Sequence, residues 1–147
     1  MSVSILPPSP DEKAKWLPLW RGYLKFYKCD LPDAITDLTW ERFFDDAEPV
    51  YILAAKQDET WLGFTAFVLH RSTWAETYYC YLEDLFVAEA ARGKGVARQL
   101  IEAVADFART QGCGRLYWQT QESNTTAQAL YDRIAAKSDF IQYVKAI

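Results

Sequence analysis

Residues Arg92–Ala97 read RGKGVA and lie between an apolar stretch and an amphipathic one. Gly93 and Gly95 let a backbone turn tightly and bring its N–H groups close to a ligand. A helix opening near Val96 would add unpaired N–H donors and a partial positive charge, and such an end accepts phosphate. Arg92, Lys94 and Arg98 stand in or near the first helical turn, the wrong sign for a helix dipole unless an anion binds there. The run is neither the GxxxxGK[ST] of a nucleoside-triphosphate loop nor a dinucleotide fingerprint, because Arg98 stands where the third glycine belongs. On spacing alone, a solvent-facing loop charged for solubility remains open. A nucleotide-binding domain built on the same anion site is the weaker rival.

The elements that must position this loop follow from hydrophobic periodicity. Val3–Leu6 alternates as a short strand. Ser9 and Pro10 read as N-cap and first residue of a helix carrying Trp16, Leu19, Trp20, Tyr23, Leu24 and Tyr27. Pro18 inside that run predicts a kink or break. A second helix is expected from about Pro32 to Asp45. Val50–Lys56 and Trp61–Leu69 form a hairpin around QDET, and Tyr78–Val87 is a third long strand. Val96, Leu100, Ile101, Val104 and Phe107 mark one face of a helix that Gly112 closes. Arg115–Gln121 reads as a strand, and Ala127, Leu130, Tyr131 and Ile134 mark a helix beginning at Ser123 or Asn124. Phe140–Ile147 is expected as a last strand. The order is β-α-α-β-β-β-α-β-α-β. The strands are apolar on both faces, so a mixed α/β sheet with helices on both sides is expected.

Composition sets the bounds. The chain has 147 residues, half of them hydrophobic and 16% aromatic, which predicts one domain, 1–147, with a sizeable core. A formal net charge of −4 argues against general nucleic-acid binding. Cys29, Cys80 and Cys113 form neither a disulfide framework nor a zinc pair, which predicts reduced, buried thiols, no metal and a cytoplasmic location. MSVSILPPSPDEK lacks the charge and apolar core of a signal peptide, and no run is long enough to span a membrane.

LEDLFVAEAARGKGVARQLI resembles motif A of the GNAT superfamily of acetyl-CoA-dependent N-acetyltransferases. That motif has the form [RQ]xxGx[GA], matched by Arg92, Gly95 and Ala97 between a strand and a helix. A second signature is similar to NxxAxxLY, matched by Asn124, Ala127, Leu130 and Tyr131. The resemblance covers essentially the whole chain, with residues 2–71 fitting by element order only. It implies the GNAT fold, a mixed and mostly antiparallel central sheet flanked by helices. It also implies acetyl-CoA as co-substrate, an amine acceptor (polyamine, amino acid, small amine or protein lysine) and a homodimer. The backbone of Arg92, Gly93, Lys94, Gly95, Val96 and Ala97 would hold the coenzyme pyrophosphate, with Arg98 nearby. Leu85, Phe86 and Val87 would splay from the neighbouring strand and pair with the pantetheine arm. Asn124 would hydrogen-bond near that arm, and Tyr131 would protonate the departing sulfur. One departure stands out: YDRIAAKSDF lacks the usual glycine–phenylalanine ending, though some histone and amino-acid acetyltransferases end similarly.

Amine acetylation needs a base, since an alkylammonium of pKa about 10.4 is almost wholly protonated at pH 7. YLED resembles the stretch preceding motif A in polyamine acetyltransferases, where the glutamate is the proposed base. Strand alternation puts Glu83 on the face of Leu85 and Val87. Glu83 is therefore the candidate base, against the plain reading of a carboxylate paired with an arginine. Asp84 points to the other face as a contact for a substrate cation. Trp20 and Tyr23 belong to a packed aromatic helix face that could also hold an ammonium. His70 reads as an edge histidine without a role, and Cys80, Cys113 and Trp118 as packing. The rival of another class is a coenzyme-binding sensor that has lost catalysis.

Overall fold

The computed structural model describes Ser2–Ile147. Nine elements follow in order: β1 (Ser4–Leu6), α1 (Lys13–Phe26), α2 (Asp33–Arg42), β2 (Val50–Gln57), β3 (Thr60–Arg71), β4 (Tyr78–Val87), α3 (Val96–Thr110), β5 (Arg115–Tyr117) and α4 (Thr125–Ile134). The strands form one sheet in chain order. β1 to β4 pair antiparallel, and β4 pairs with β5 in parallel. The expected mixed, mostly antiparallel sheet is the one observed.

Its two faces are covered separately. Trp16, Trp20 and Trp40 pack with Ile52, Phe64 and Ala66 beneath α1 and α2. On the opposite face Ile101 and Val104 of α3 meet Phe67, Leu69 and Leu82, and Leu130, Tyr131 and Ile134 of α4 lean on that cluster. The α3 stripe is the one its periodicity predicts. A 3-10 turn at Pro10–Glu12 leads into α1, with the Ser9 amide donating to the Glu12 carboxylate at 3.0 Å. Lys56 then donates to both oxygens of Glu12 at 2.9 Å, and the Trp61 indole donates at 3.1 Å. This cluster fastens the start of α1 to the β2–β3 hairpin.

Several expectations fail. Pro18 does not break α1, which runs unbroken through it. It lies in the second turn, where one lost N–H bond is offset by burial of Trp16, Leu19 and Trp20. α2 is shorter than expected at both ends, and β5 ends at Tyr117 rather than Gln121. Phe140–Ile147 forms no strand: the segment has no regular structure and is exposed throughout. Cys80 is buried, Cys113 half-buried and Cys29 exposed, so the prediction of buried thiols fails for Cys29.

Candidate active site

The site begins where β4 outruns β5. Parallel pairing covers only Tyr79–Tyr81 against Arg115–Tyr117, while β4 continues to Val87. Along Leu82–Val87, no described strand lies on that edge, so backbone donors and acceptors there face an open cleft. Leu85, Phe86 and Val87 thus have no described strand paired on that edge.

The cleft leads to the glycine loop. Gly93 and Gly95 have φ of 78° and 79°, a left-handed conformation that glycine adopts without strain. Nothing lies within 4 Å of where a Cβ would stand at either position, so the backbone is bare on its outer side. Among the described residues, no backbone carbonyl accepts from the amides of Gly93–Arg98. Lys94 and Arg98 are exposed and form no described salt bridge. Arg92 donates to the Val87 carbonyl at 3.0 Å and lies over the Phe86 ring, tying the loop to the end of β4. Bare amides, free cations and unpaired strand edge together fit a ligand with an anionic head and an extended amide-bearing arm. Those are the features of coenzyme A.

At the other end of the cleft the alternation argument for Glu83 fails. β4 slips against β3 there: Ala66 faces Asp84 and Phe67 faces Leu82, so Glu83 is an extra, bulged residue. Leu82 and Leu85, three apart, consequently share the α3 face. Glu83 is exposed, while Asp84 turns inward toward α1 and is 8% exposed. The Thr65 hydroxyl donates to the Asp84 carbonyl at 2.8 Å and satisfies the displaced backbone.

Burial raises the Asp84 carboxyl to about 7, the Glu83 charge adds to this, and the Tyr23 hydroxyl partly offsets it. The Tyr23 phenol is itself pushed up by burial and then by the Asp84 charge, and its hydroxyl lies 3.4 Å from the Glu83 carbonyl. Tyr27 stacks edge-on with Tyr23 at 5.1 Å, and burial and the Asp84 charge raise its phenol too. Tyr131 is half-buried against Trp118, at 5.4 Å between ring centroids. Burial raises its phenol, and the proximity of Tyr27 adds to the effect. Asp84, Tyr23 and Tyr27 therefore form one group, and Tyr27 lies near enough to Tyr131 for their charges to be felt. Tyr27 belongs to the same aromatic helix face as Tyr23, which the sequence offered both as packing and as a seat for an ammonium.

Three expected site residues also have partners within the fold. Trp20 is 5% exposed and donates to the Thr36 hydroxyl at 2.9 Å, so it belongs to the core. Phe86 packs against Tyr23 and leaves only its backbone for a ligand. Asn124 is the N-cap of α4, its side-chain oxygen accepting from the Ala127 amide at 3.3 Å. His70 meets the Tyr117 hydroxyl at 2.6 Å, away from these groups. A cleft of about 400 Å³ between α1 and α2 touches Trp20, Lys25 and Asp37 but none of Glu83, Asp84 and Tyr131. Among the described residues, no group of three or more side chains is placed to hold a metal.

The acetyltransferase (GNAT) family model matches residues 16–135. The chain belongs to this family. It is an acetyl-CoA-dependent N-acetyltransferase. The D-amino-acid N-acetyltransferase of Saccharomyces cerevisiae is 35% identical over 136 residues, 91% of this chain and 84% of that one. An uncharacterised N-acetyltransferase of Bacillus subtilis is 30% identical, covering 96% of this chain and 95% of its own. The ribosomal-protein-alanine N-acetyltransferase of Brucella melitensis superposes with a TM-score of 0.82 at 25% identity, over 99% of both chains. An aminoglycoside acetyltransferase solved with a coenzyme A bisubstrate analogue shares the fold, with a TM-score of 0.85 at 20% identity over 100% of this chain and 99% of that one.

Proposed function

We propose that this GNAT acetyltransferase transfers acetyl from acetyl-CoA to the primary amine of a small acceptor, by direct attack in a ternary complex. The observation that carries the reading is the succession along one segment of chain, from a buried carboxyl beside Tyr23, along the edge of β4 that β5 leaves unpaired, to the loop amides of Gly93–Arg98 that no described backbone carbonyl takes up. The loop amides, with Lys94 and Arg98, would hold the pyrophosphate, and Leu85–Val87 would pair with the pantetheine arm.

The two acidic residues take roles opposite to those alternation suggests. Glu83, exposed at the bulge, meets the incoming ammonium as a mobile counter-charge. Asp84, at about 7, is poised to take its proton near neutral pH. The free amine then attacks the thioester carbonyl, so a C–N bond forms as the C–S bond breaks. Tyr131, kept protonated by burial, gives its proton to the leaving sulfur, and the surplus proton shed by the new amide nitrogen restores the phenol. Tyr23 and Tyr27 wall the acceptor with aromatic faces suited to a cation.

The yeast relative is named for D-amino acids and the Arabidopsis thaliana relative for L-ornithine. Amino acids therefore come first among acceptors, ahead of polyamines and protein lysines. The reading also keeps a cytoplasmic location. The test is thermal stability with acetyl-CoA, ATP or NAD, followed by thiol release across a panel of amines. A ligand at 100 times its Kd adds about 2.7 kcal/mol. A rise in Tm with acetyl-CoA alone, followed by thiol release with an amine, is the expected result. A rise in Tm without turnover on any amine would establish the sensor reading instead, and no rise would return the loop to a mere solubility device.

A further inference from the structure

The sheet face beneath α1 and α2 is not covered to its end. Alternation along β3, β4 and β5 sends Leu69, Cys80, Leu82 and Leu116 into the cluster under α3. His70, Tyr79, Tyr81 and Tyr117 therefore stand on the opposite face, outside the cluster that α1 and α2 bury, and all four stay half-buried. Tyr81 stacks on Tyr117 at 5.0 Å between ring centroids, and Tyr117 meets Tyr79 edge-on at 6.5 Å. His70 holds this row in place. Its Nδ1 lies 2.8 Å from the Arg71 carbonyl and must be the donor there, so Nε2 of the neutral ring accepts from the Tyr117 hydroxyl at 2.6 Å.

The row ends in opposite charges. At one end Glu83 and Asp84 follow Tyr81, and their charges add to the burial that raises the Tyr81 phenol, so the row adjoins the proposed base. At the other end Arg115 pairs in register with Tyr79 and lays its guanidinium over that ring at 4.6 Å. Glu83 and Arg115 are exposed, and among the described residues neither has an ion-pair partner. Tyr79 and Glu83 stand four residues apart on β4, roughly 13 Å at the usual rise of a strand. A strip of phenol rings with anions at one end and a cation at the other complements an elongated molecule that carries an ammonium and a carboxylate at its two ends.

We propose, resting on the transferase reading of the same site, that the acceptor lies along this row with its amine at Glu83 and Asp84 and a carboxylate on Arg115. Arg115 is then the residue that selects amines bearing a distant carboxylate. Its planar guanidinium matches a carboxylate in shape and stays charged at any working pH. A polyamine would set a second ammonium beside it, so the same side chain rejects polyamines. The span also sorts the amino-carboxylates. In a free amino acid a single carbon separates the α-amine from the carboxylate, too little to touch both ends of the row. A side-chain amine reaches farther, and so does the terminal amine of a short peptide, since three extended residues span on the order of 10 Å. The body of such an acceptor lies over the faces of Tyr81, Tyr117 and Tyr79.

The test is a molecular ruler. Thiol release from acetyl-CoA is followed with glycine, ω-aminohexanoate, ω-aminooctanoate and triglycine, each against the same amine ending in an uncharged amide. Triglycine spans as many bonds as ω-aminooctanoate, so the better of the two tells a peptide acceptor from a side-chain amine. The parent should favour the carboxylate over its amide by about tenfold or more in kcat/KM at that length, and not for glycine. The preference should lie in KM and shrink with added salt. In Arg115→Gln the ratio should collapse toward one, and Arg115→Lys should keep part of it. No preference at any length in the parent, a preference largest for glycine, or a ratio unmoved by Arg115→Gln would each overturn the assignment. The length series uses the parent sequence, so it decides even if the variants misfold. Calorimetry with coenzyme A bound reads the same ratio without turnover. Binding that keeps the preference without thiol release would sink the transfer alone, and thiol release without the preference would sink the role of Arg115 alone.

Discussion

Asp84 is a carboxylate from which water has been almost wholly removed. Its ordinary value is 3.8 and its folded value about 7. At about 1.36 kcal/mol for each pKa unit, keeping it charged costs on the order of 4 kcal/mol. The sign follows from the raised value: the cost is fully present above pH 7, shrinks as pH falls, and vanishes below the ordinary value. Asp84→Asn should therefore gain in Tm relative to the parent, by more at pH 8 than at pH 5. The same substitution should lower kcat/KM by about a hundredfold or more, the usual contribution of a positioned base. Parent kcat/KM should rise with pH through about 7, a limb the variant lacks. Equal Tm differences at both pH values, or an unchanged pH profile, would remove Asp84 from this role. For Tyr131→Phe, steady-state kinetics should show a large fall in kcat with little change in the acetyl-CoA dissociation constant. The pair Glu83–Asp84 was legible as chemistry in YLED, but which carboxyl is buried was not. That depends on a bulge, and a bulge arises from pairing with β3, which no spacing within β4 reveals.

At the scale of elements, the strand–loop–helix unit was the most readable part. Two glycines among cations, before a clean apolar stripe, require that geometry locally. The start of α1 is held differently, by charge and hydrogen bonds across distant segments. Lys56, the Ser9 amide and the Trp61 indole together bring the Glu12 carboxyl down to about 2, Lys56 contributing most. A lowered carboxyl stabilises the fold above its ordinary value of 4.5, and this is lost as pH falls toward 2. Glu12→Gln should lower Tm at pH 7 by about 3 °C or more, and in thermal melts the gap to the parent should shrink below pH 4.5 and close only as pH falls through about 2. A constant gap would mean that packing, not charge, links Glu12 to the hairpin. Pro18 and the C-terminal arm misled for a shared reason. Propensity and alternation state what a segment tolerates, whereas neighbours decide whether it bends or pairs.

For the molecule as a whole, the sheet supports two unequal halves. The part around α1, β2–β4 and α3 is closed, with Trp16, Phe64, Leu100 and Val104 fully buried. The part around β5 and α4 is open, with no described residue from Gly112 to Ile147 buried. Periodicity and glycine chemistry are local, so the sequence by itself determined the element order as far as α4, the α/β class, the anion loop and, through its two motifs, the family. Everything that depends on register and burial was decided by tertiary structure: the bulge that exposes Glu83 and buries Asp84, the approach of Tyr27 to Tyr131, the withdrawal of Trp20 into the core and the early end of β5. The physical reason is that a carboxyl's proton affinity and an edge's freedom are set by what lies opposite in space, and spacing along one chain carries no information about that.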